Sequence, residues 1–377
     1  MRIEQRAWTE QLGWSRIGRA DAPDADLVLV FGGASPFRNR ALLDELRTQY
    51  PHADLLGCSA AGEIVGTQVH DDSIVATAIA LERTSVRGAR VPLRSAGGSQ
   101  EAGRALGKRL RGDGLAHVFV LSEGLVVNGS ELVRGITETI PEGVTVTGGL
   151  SGDGARFEET LVLWSDEPRT GQVAAVGFYG SALRVGYGSL GGWDPFGPQR
   201  LITRSEGSVL YELDGKPALE LYKRYLGHHA HELPASGLLF PLAITATSDR
   251  DPVVRTILAI DEQEGSMTFA GDVPEGSVAR LMKANFDRLI DGASGAAHTC
   301  VESLRDPELA ILISCVGRKL VLKQRVEEEV EAVRDVVGPD AVMAGFYSYG
   351  EISPFMRGAC CELHNQTMTI TTLSEGP

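Results

Sequence analysis

Short apolar runs that end at glycine recur along the chain, and each is followed by a segment of helical period. The run Leu27 to Phe31 is typical of a buried strand, and Leu42, Leu43 and Leu46 then follow at the spacing of an amphipathic helix. A second strand and a glycine-rich turn with small polar residues complete the unit. Residues 27–64, 117–154 and 309–352 have this layout. The pattern predicts an internally repeated unit of strand, helix, strand and glycine turn.

Other segments have the alternating period of antiparallel strands. Residues 73–81 and 86–93 are of this kind, so the predicted sheets mix parallel and antiparallel pairs. The apolar spacing in residues 277–297 predicts one long helix, and a short helix is expected at the N-terminus. The predicted fold class is α/β of the mixed α+β type, with helices flanking mixed sheets in two halves.

A domain boundary is expected at residues 191–197, GGWDPFG, where glycine and proline interrupt every period. The predicted domains are residues 1–197 and 198–377. A chain of 377 residues also exceeds the usual size of one domain, about 100–200 residues.

The charge and composition of the chain exclude some classes of partner and indicate its cellular compartment. The net charge of -14 argues against a nucleic-acid partner, which requires clustered Lys and Arg. The basic run at residues 104–111 is interpreted as a solvated helix face or as a docking face for an acidic partner. We expect no membrane span and a cytoplasmic location, because the chain has no long apolar stretch and no signal-like N-terminus. The five cysteines are then expected to be reduced thiols.

Two catalytic signatures fail on inspection. Residues 186–191 match G-x-G-x-x-G, but the segment that follows contains Pro195 and does not open the helix that a dinucleotide site requires. The turns around Ser59 and Ser151 each miss the nucleophile elbow by one glycine. A hydrolase or transferase that uses Cys58 or Ser59 as its nucleophile remains the alternative function.

The glycine turns themselves have the composition of a recognition site, since glycine lets backbone approach a ligand and polar side chains direct it. Glu63 and Glu351 occupy the same position in two turns, where each either grips a ligand amine or caps a backbone N–H. The candidate ligand-binding residues are Cys58, Ser59, Glu63, Ser151, Asp153, Tyr347, Tyr349, Glu351, His364 and Asn365.

The densest imidazole cluster is formed by His228, His229 and His231. It is interpreted either as a polar loop after a helix or as the source of a haem ligand, because histidine is the usual proximal ligand of haem iron. Structural zinc usually has four ligands at recognisable spacing, and neither this cluster nor the pair Cys361 and His364 has a second half. No metal site beyond a haem iron is therefore predicted.

Eight blocks in series resemble the FIST proteins, with their N-terminal and C-terminal halves. They cover nearly the whole chain and read GCSAAGEI, TGGLSGDG, LYELDGKPALELYKRYLG, GLLFPLAI, GDVPEGS, ISCVGRKLVL, AGFYSYGEISP and LHNQTMTI. One departure is Ala60, where the family pattern has threonine, so a hydroxyl role is not carried over to that position.

The resemblance implies a non-enzymatic sensory protein that binds a small ligand, with amino acids and related compounds as proposed ligands of the family. One branch of the family contains haem, senses nitric oxide and controls histidine kinases or cyclic-diguanylate enzymes. Since the chain has no recognisable output segment, it would signal through a separate protein of that kind. A protein-interaction scaffold without a ligand is the third class of function considered.

Overall fold

The computed structural model describes residues 1–18, 21–246, 252–355 and 358–376, and it confirms the mixed α+β class. The strands, in chain order, are β1 (Arg2–Thr9), β2 (Gly13–Ile17), β3 (Leu27–Gly33), β4 (Asp54–Ala60), β5 (Glu63–Val65), β6 (Gln68–His70), β7 (Ile74–Ala80), β8 (Ser85–Pro92), β9 (Leu115–Ser122), β10 (Thr145–Leu150), β11 (Val162–Trp164), β12 (Pro168–Arg169), β13 (Gln172–Tyr179), β14 (Leu183–Leu190), β15 (Asp194–Glu206), β16 (Val209–Leu213), β17 (Lys216–Pro217), β18 (Leu242–Thr245), β19 (Val253–Arg255), β20 (Ile257–Asp261), β21 (Ser266–Phe269), β22 (Val278–Lys283), β23 (Leu309–Cys315), β24 (Val342–Ser348), β25 (Gly350–Pro354), β26 (Cys361–His364) and β27 (Met368–Glu375).

The α-helices, in chain order, are α1 (Ala34–Phe37), α2 (Arg40–Gln49), α3 (Leu93–Ala96), α4 (Ser99–Leu110), α5 (Gly129–Thr137), α6 (Ala218–Leu226), α7 (Phe286–Ser303), α8 (Val316–Leu322) and α9 (Val326–Val337). Within the described ranges, none of these helices combines the length and the apolar character needed to cross a membrane.

A parallel strand pair lies at the centre of each of the three predicted units. The pairs are β3 with β4, β9 with β10, and β23 with β24, and a helix connects the two strands of each pair. Antiparallel strands flank each pair, so the sheets are mixed as expected. The sequence repeat itself stays a prediction, whereas the common pairing pattern is an observation.

Each of these three sheets contains strands that follow the glycine turn of another unit. The strand orders are β12-β11-β4-β3-β7-β1-β2, β26-β25-β10-β9-β13-β8 and β14-β27-β23-β24-β5-β6. Strand β5 follows the first glycine turn but pairs with β24, β11 follows the second turn but pairs with β4, and β25 follows the third turn but pairs with β10. The exchange is cyclic, and it ties the three sheets together beside the turns.

A fourth sheet lies between β14 and α7 in the chain. Its order is β19-β18-β22-β15-β16-β21-β20, and it has its own apolar core with α6. Strand β15 runs across residue 197, and strands from both sides of that residue share the second and third sheets. The domain division at residue 197 stays a prediction.

Two predicted helices are wrong in part or in full. The N-terminal segment is the antiparallel pair β1 and β2. Residues 278–283 form β22, and the helix α7 begins only at Phe286, where the Asn285 side chain accepts a hydrogen bond from the Arg288 N–H. In β22 Ala279, Leu281 and Met282 are buried, and the apolar positions 278, 281 and 282 also have the i, i+3, i+4 spacing of a helix face.

Candidate functional site

The three glycine turns meet at one place, which we call the turn joint. The Ala61 N–H donates to the Tyr347 carbonyl at 2.8 Å, and the Tyr347 N–H donates to the Gly62 carbonyl at 2.9 Å. The Gly152 N–H donates to the Ser59 carbonyl at 3.0 Å. The first turn is therefore hydrogen-bonded to both of the others.

The second and third turns are joined by strands and by one tyrosine. Strand β10 pairs with β25, and the Tyr349 N–H donates to the Leu150 carbonyl at 3.3 Å. The Tyr349 hydroxyl donates to the Asp153 carboxylate and to the Gly154 carbonyl, and its ring stacks on Phe157 at 4.7 Å. The Asp153 carboxylate also accepts the backbone N–H groups of residues 157–159, so it organises the loop after the second turn.

A glycine begins each turn for a steric reason. A Cβ atom at Gly57, Gly148 or Gly345 would overlap the backbone carbonyl of the neighbouring parallel strand. The carbonyls belong to Val30, Val120 and Leu312, which are the register partners of the three glycines. The close approach of two strands therefore requires glycine at the same position of all three pairs.

Glu63 and Glu351 have the same role in two turns. The Glu63 carboxyl accepts from the Ser73 N–H at 3.1 Å and hydroxyl at 2.7 Å, and Glu351 accepts from the Thr367 N–H at 3.2 Å and hydroxyl at 2.9 Å. Burial raises the pKa of each carboxyl to about 8. They differ in the second oxygen: Oε1 of Glu351 accepts from the Ser348 hydroxyl, whereas Oε1 of Glu63 is buried and has no partner among the residues that the structure describes.

Lys319 reaches the turn joint from α8. Its ammonium donates to the Ala61 carbonyl at 2.9 Å, forms an ion pair with Asp71 and lies 5.5 Å from the centre of the Tyr347 ring. Its charge counteracts the effect of burial on the pKa of the Glu63 carboxyl, but burial is the larger effect. With 15% of its side chain exposed, Lys319 is the cation that links the buried joint to solvent.

A buried ion pair supports the third turn. Arg318 and Glu329 are fully buried and are joined by hydrogen bonds of 2.7 and 3.0 Å. Glu329 also accepts from the Tyr347 hydroxyl at 2.7 Å and from the Ser314 hydroxyl at 3.0 Å. Because the pair has no access to solvent, these additional bonds are needed to offset its desolvation.

The remaining small polar side chains of the turns bond to neighbouring strands. The Ser151 hydroxyl donates to the Ser122 carbonyl at 2.9 Å, and the Ser59 oxygen accepts from the Leu161 N–H at 2.9 Å. Cys58 is fully buried, and burial raises the pKa of its thiol well above the usual value. A reactive cysteine acts as a thiolate, so this environment does not activate Cys58 as a nucleophile.

His364 and Asn365 lie beside the third turn. The Asn365 amide donates to the Tyr349 carbonyl at 3.1 Å and accepts from the Thr256 N–H at 3.3 Å. The His364 ring is 2.9 Å from the Ser353 carbonyl, and burial lowers the pKa of that ring to about 4. The ring is thus neutral and serves as a buried donor.

The histidine cluster lies in the unit that contains the fourth sheet. His228, His229 and His231 belong to a short 3-10 helix after α6, with His228 and His231 exposed. The His229 ring lies 4.0 Å from that of His228 and 5.3 Å from that of Phe240. Within residues 1–18, 21–246, 252–355 and 358–376, no group of three or more His, Cys, Asp or Glu side chains is arranged to hold a metal ion.

Sequence reasoning found most of the joint but missed its charged partners. Lys319, Arg318 and Glu329 were not among the candidates, and Ser73 and Thr367 were not recognised as partners of the carboxyls. The available signal was the pair Arg318 and Lys319 within an apolar segment directly after a buried strand.

Comparison with known proteins gives the family. The FIST N domain matches residues 26–216 and the FIST C domain matches residues 218–354. The uncharacterized protein MJ1623 of Methanocaldococcus jannaschii is 25% identical over 78% of this chain and 60% of its own length. The chain thus matches under two thirds of that relative. The uncharacterized protein Rv0628c of Mycobacterium tuberculosis is 23% identical over 93% of this chain and 92% of its own.

Among solved structures, cyanuric acid hydrolase from A. caulinodans is similar at a TM-score of 0.37 and 8% identity, over 95% of this chain and 92% of that one. The two domain matches together cover most of the sequence. The chain belongs to the FIST family.

Proposed function

We propose that the turn joint binds a small polar ligand and that the resulting change is passed to a separate signalling protein. FIST domains are ligand-sensing domains associated with signalling. The observation that carries the proposal is the convergence of all three turns on one buried polar cluster, with one carboxyl oxygen of Glu63 unpartnered. A buried polar atom without a partner costs free energy, and a ligand group that forms a hydrogen bond with it would remove that cost.

The chemistry of the joint suggests the ligand class. Glu63 and the Ala61 carbonyl supply acceptors for an amine, and Lys319 supplies a cation for a carboxylate. A free amino acid carries both groups. A bound amine would favour the ionised form of Glu63, so ligand binding and the charge of this carboxyl would be coupled.

The joint is closed in this conformation, because Ser59, Glu63, Tyr347 and Glu351 are all fully buried. A ligand would therefore bind a second conformation in which Lys319 leaves the Ala61 carbonyl. The shift between the two conformations is limited by the difference in their affinities for the ligand. Because β5 begins at Glu63 and pairs with β24, such a movement would reach the third sheet.

The test is a thermal-shift screen of free amino acids and related small polar compounds. A ligand at about 100 times its Kd stabilises the folded state by about 2.7 kcal/mol. We expect a shift for the unaltered chain and for Glu10→Gln, an exposed control, and none for Glu63→Gln. A shift of equal size in Glu63→Gln would place the ligand elsewhere.

The proposed output is a change in the activity of a histidine kinase or a cyclic-diguanylate enzyme. The test is the activity of the purified partner with the FIST chain, with and without the ligand from the screen. A ligand that binds but leaves the partner's activity unchanged would refute the proposed signalling step, but it would not refute the proposed binding site.

The haem-based form of the sensor fits the described geometry poorly. His228 and His231 are exposed, and the apolar cavity beside α6 has a volume of about 20 Å³. A site for a larger ligand needs about 300 Å³ or more. We therefore derive no step through haem. The absorption spectrum after haem reconstitution tests this form, since a Soret band that shifts with nitric oxide would support it.

A further inference from the structure

One segment of this acidic chain has a marked excess of positive charge. Residues 83–111 contain eight Lys or Arg residues and one Glu, a net charge of +7 in a chain of net charge -14. The segment forms β8, α3 and α4. Arg94, Lys108 and Arg111 are exposed and have no acidic partner among the described residues. The surface is therefore a basic patch on an acidic protein.

An open groove of about 510 Å³ lies along this patch. One wall is formed by Arg90 of β8 and Arg109 of α4, and the other by Trp164 and Asp166 at the end of the first sheet. The Trp164 ring packs so closely on Gly88 that a Cβ atom there would overlap it. The Trp164 ring thus gives the groove an aromatic surface beside its charged side chains.

The groove contains the carboxylate of Asp166, and it contains Arg109, which can accept the carboxylate of a partner. Asp166 forms ion pairs with Arg90 and, at 3.3 Å, with Arg169. The Arg109 guanidinium donates to the Arg90 carbonyl and has no carboxylate partner within the described ranges. The exposed ion pair of Asp166 with Arg90 contributes little to stability. A carboxylate of a partner can therefore replace Asp166 at Arg90 at a small cost in free energy.

The groove also borders an open strand. Residues 85–92 of β8 pair with β13 on one side, and β8 is the last strand of its sheet as far as the structure is described. An edge strand offers backbone N–H and C=O groups to an extended peptide, which binds by adding a strand. The Arg90 carbonyl of β8 accepts from Arg109 in this structure, and it would be released when Arg109 binds a carboxylate of the peptide.

We propose that this groove docks an extended acidic segment of a partner protein, with Asp or Glu side chains against Arg90 and Arg109. Charge complementarity selects the partner, because the surrounding surface of this acidic chain repels anions outside the patch. The inference does not rest on the proposed ligand site, which lies at the turn joint and uses other residues.

The experiment measures the fluorescence anisotropy of a labelled peptide of alternating Glu and Thr, about twelve residues long, at low ionic strength. We expect saturable binding to the unaltered chain, binding about tenfold weaker to Arg109→Glu, and stronger binding to Asp166→Asn. The matched controls are Lys216→Glu and Glu212→Gln, which make the same charge changes on the fourth sheet. Both controls should bind as the unaltered chain does.

Four results would overturn the proposal. One is the absence of peptide binding, and another is equal weakening by Arg109→Glu and Lys216→Glu, which would indicate general charge repulsion. The third is displacement of the peptide by pyrophosphate, or by a single-stranded oligothymidylate, at peptide-like affinity, which would indicate a phosphate site. Loss of a self-associated form in Arg109→Glu by sedimentation would assign the groove to a second copy and would equally refute it.

Discussion

Replacement of Glu63 by glutamine should change the pH dependence of stability. Burial raises the pKa of this carboxyl from 4.5 to about 8, so the folded chain keeps a proton that the unfolded chain releases. The stability that the neutral form contributes is complete below the unfolded pKa. This stability is lost as pH rises from the unfolded pKa to the folded pKa. Above the folded pKa, the ionisation of Glu63 no longer changes the free energy of unfolding.

The size of the effect follows from the pH window between the two pKa values. Stability falls by about 1.4 kcal/mol for each pH unit inside it, and the integrated loss from pH 5 to pH 8 is about 3–4 kcal/mol for Glu63 alone. Glutamine does not titrate. The free energy of unfolding of Glu63→Gln, relative to that of the unaltered chain, should therefore rise by about 3–4 kcal/mol over this range.

Urea unfolding at several pH values between 5 and 8 measures the difference, and Glu10→Gln is the exposed control. Glu351→Gln should show the same trend, because burial raises the pKa of Glu351 to about 8 as well. If the difference between Glu63→Gln and the unaltered chain stayed constant with pH, Glu63 would ionise normally and the account of the joint would be refuted.

Three further predictions concern the supports of the joint. Arg318→Met should destabilise the fold by about 3–5 kcal/mol, because it leaves the Glu329 charge buried and unpaired, and Arg318→Met with Glu329→Leu should recover much of the loss in urea unfolding. Gly148→Ala should destabilise by about 2 kcal/mol or more, through overlap with a neighbouring carbonyl, and a normal melting temperature would contradict this. Alkylation of the native protein, followed by mass spectrometry, should label exposed Cys360 and spare buried Cys58, whereas rapid labelling of Cys58 would revive the nucleophile hypothesis.

The local parts of the fold could be predicted from the sequence. The strand pairs and their connecting helices follow from apolar runs and helical spacing, as at Leu27–Gly33 and Arg40–Gln49. The pairing of the exchanged strands could not be predicted, because Glu63–Val65 and Val162–Trp164 are three residues long and pair with distant segments. Strand Val278–Lys283 was missed because its apolar positions 278, 281 and 282 also fit the helical spacing of the residues that follow.

In the candidate site, too, local features could be predicted from the sequence, whereas contacts between distant segments could not. The sequence showed that Glu63 and Glu351 occupy equivalent positions. It did not decide whether each binds a ligand amine or caps a backbone N–H. In the structure each caps a backbone N–H, at Ser73 and Thr367. Those partners, and the position of Lys319 over the first turn, depend on contacts between segments far apart in the chain. Sequence spacing carries no information on such contacts.

The cyclic exchange of strands explains why the three turns form one joint. Each turn continues directly into a strand or loop that belongs to a neighbouring sheet, so a turn is fixed by two sheets at once. Separation of Ala61 from Tyr347 would strain the pairing of β5 with β24, and loss of the Gly152 bond to Ser59 would strain that of β11 with β4. A small ligand that binds at the joint would therefore affect strand pairing in all three sheets.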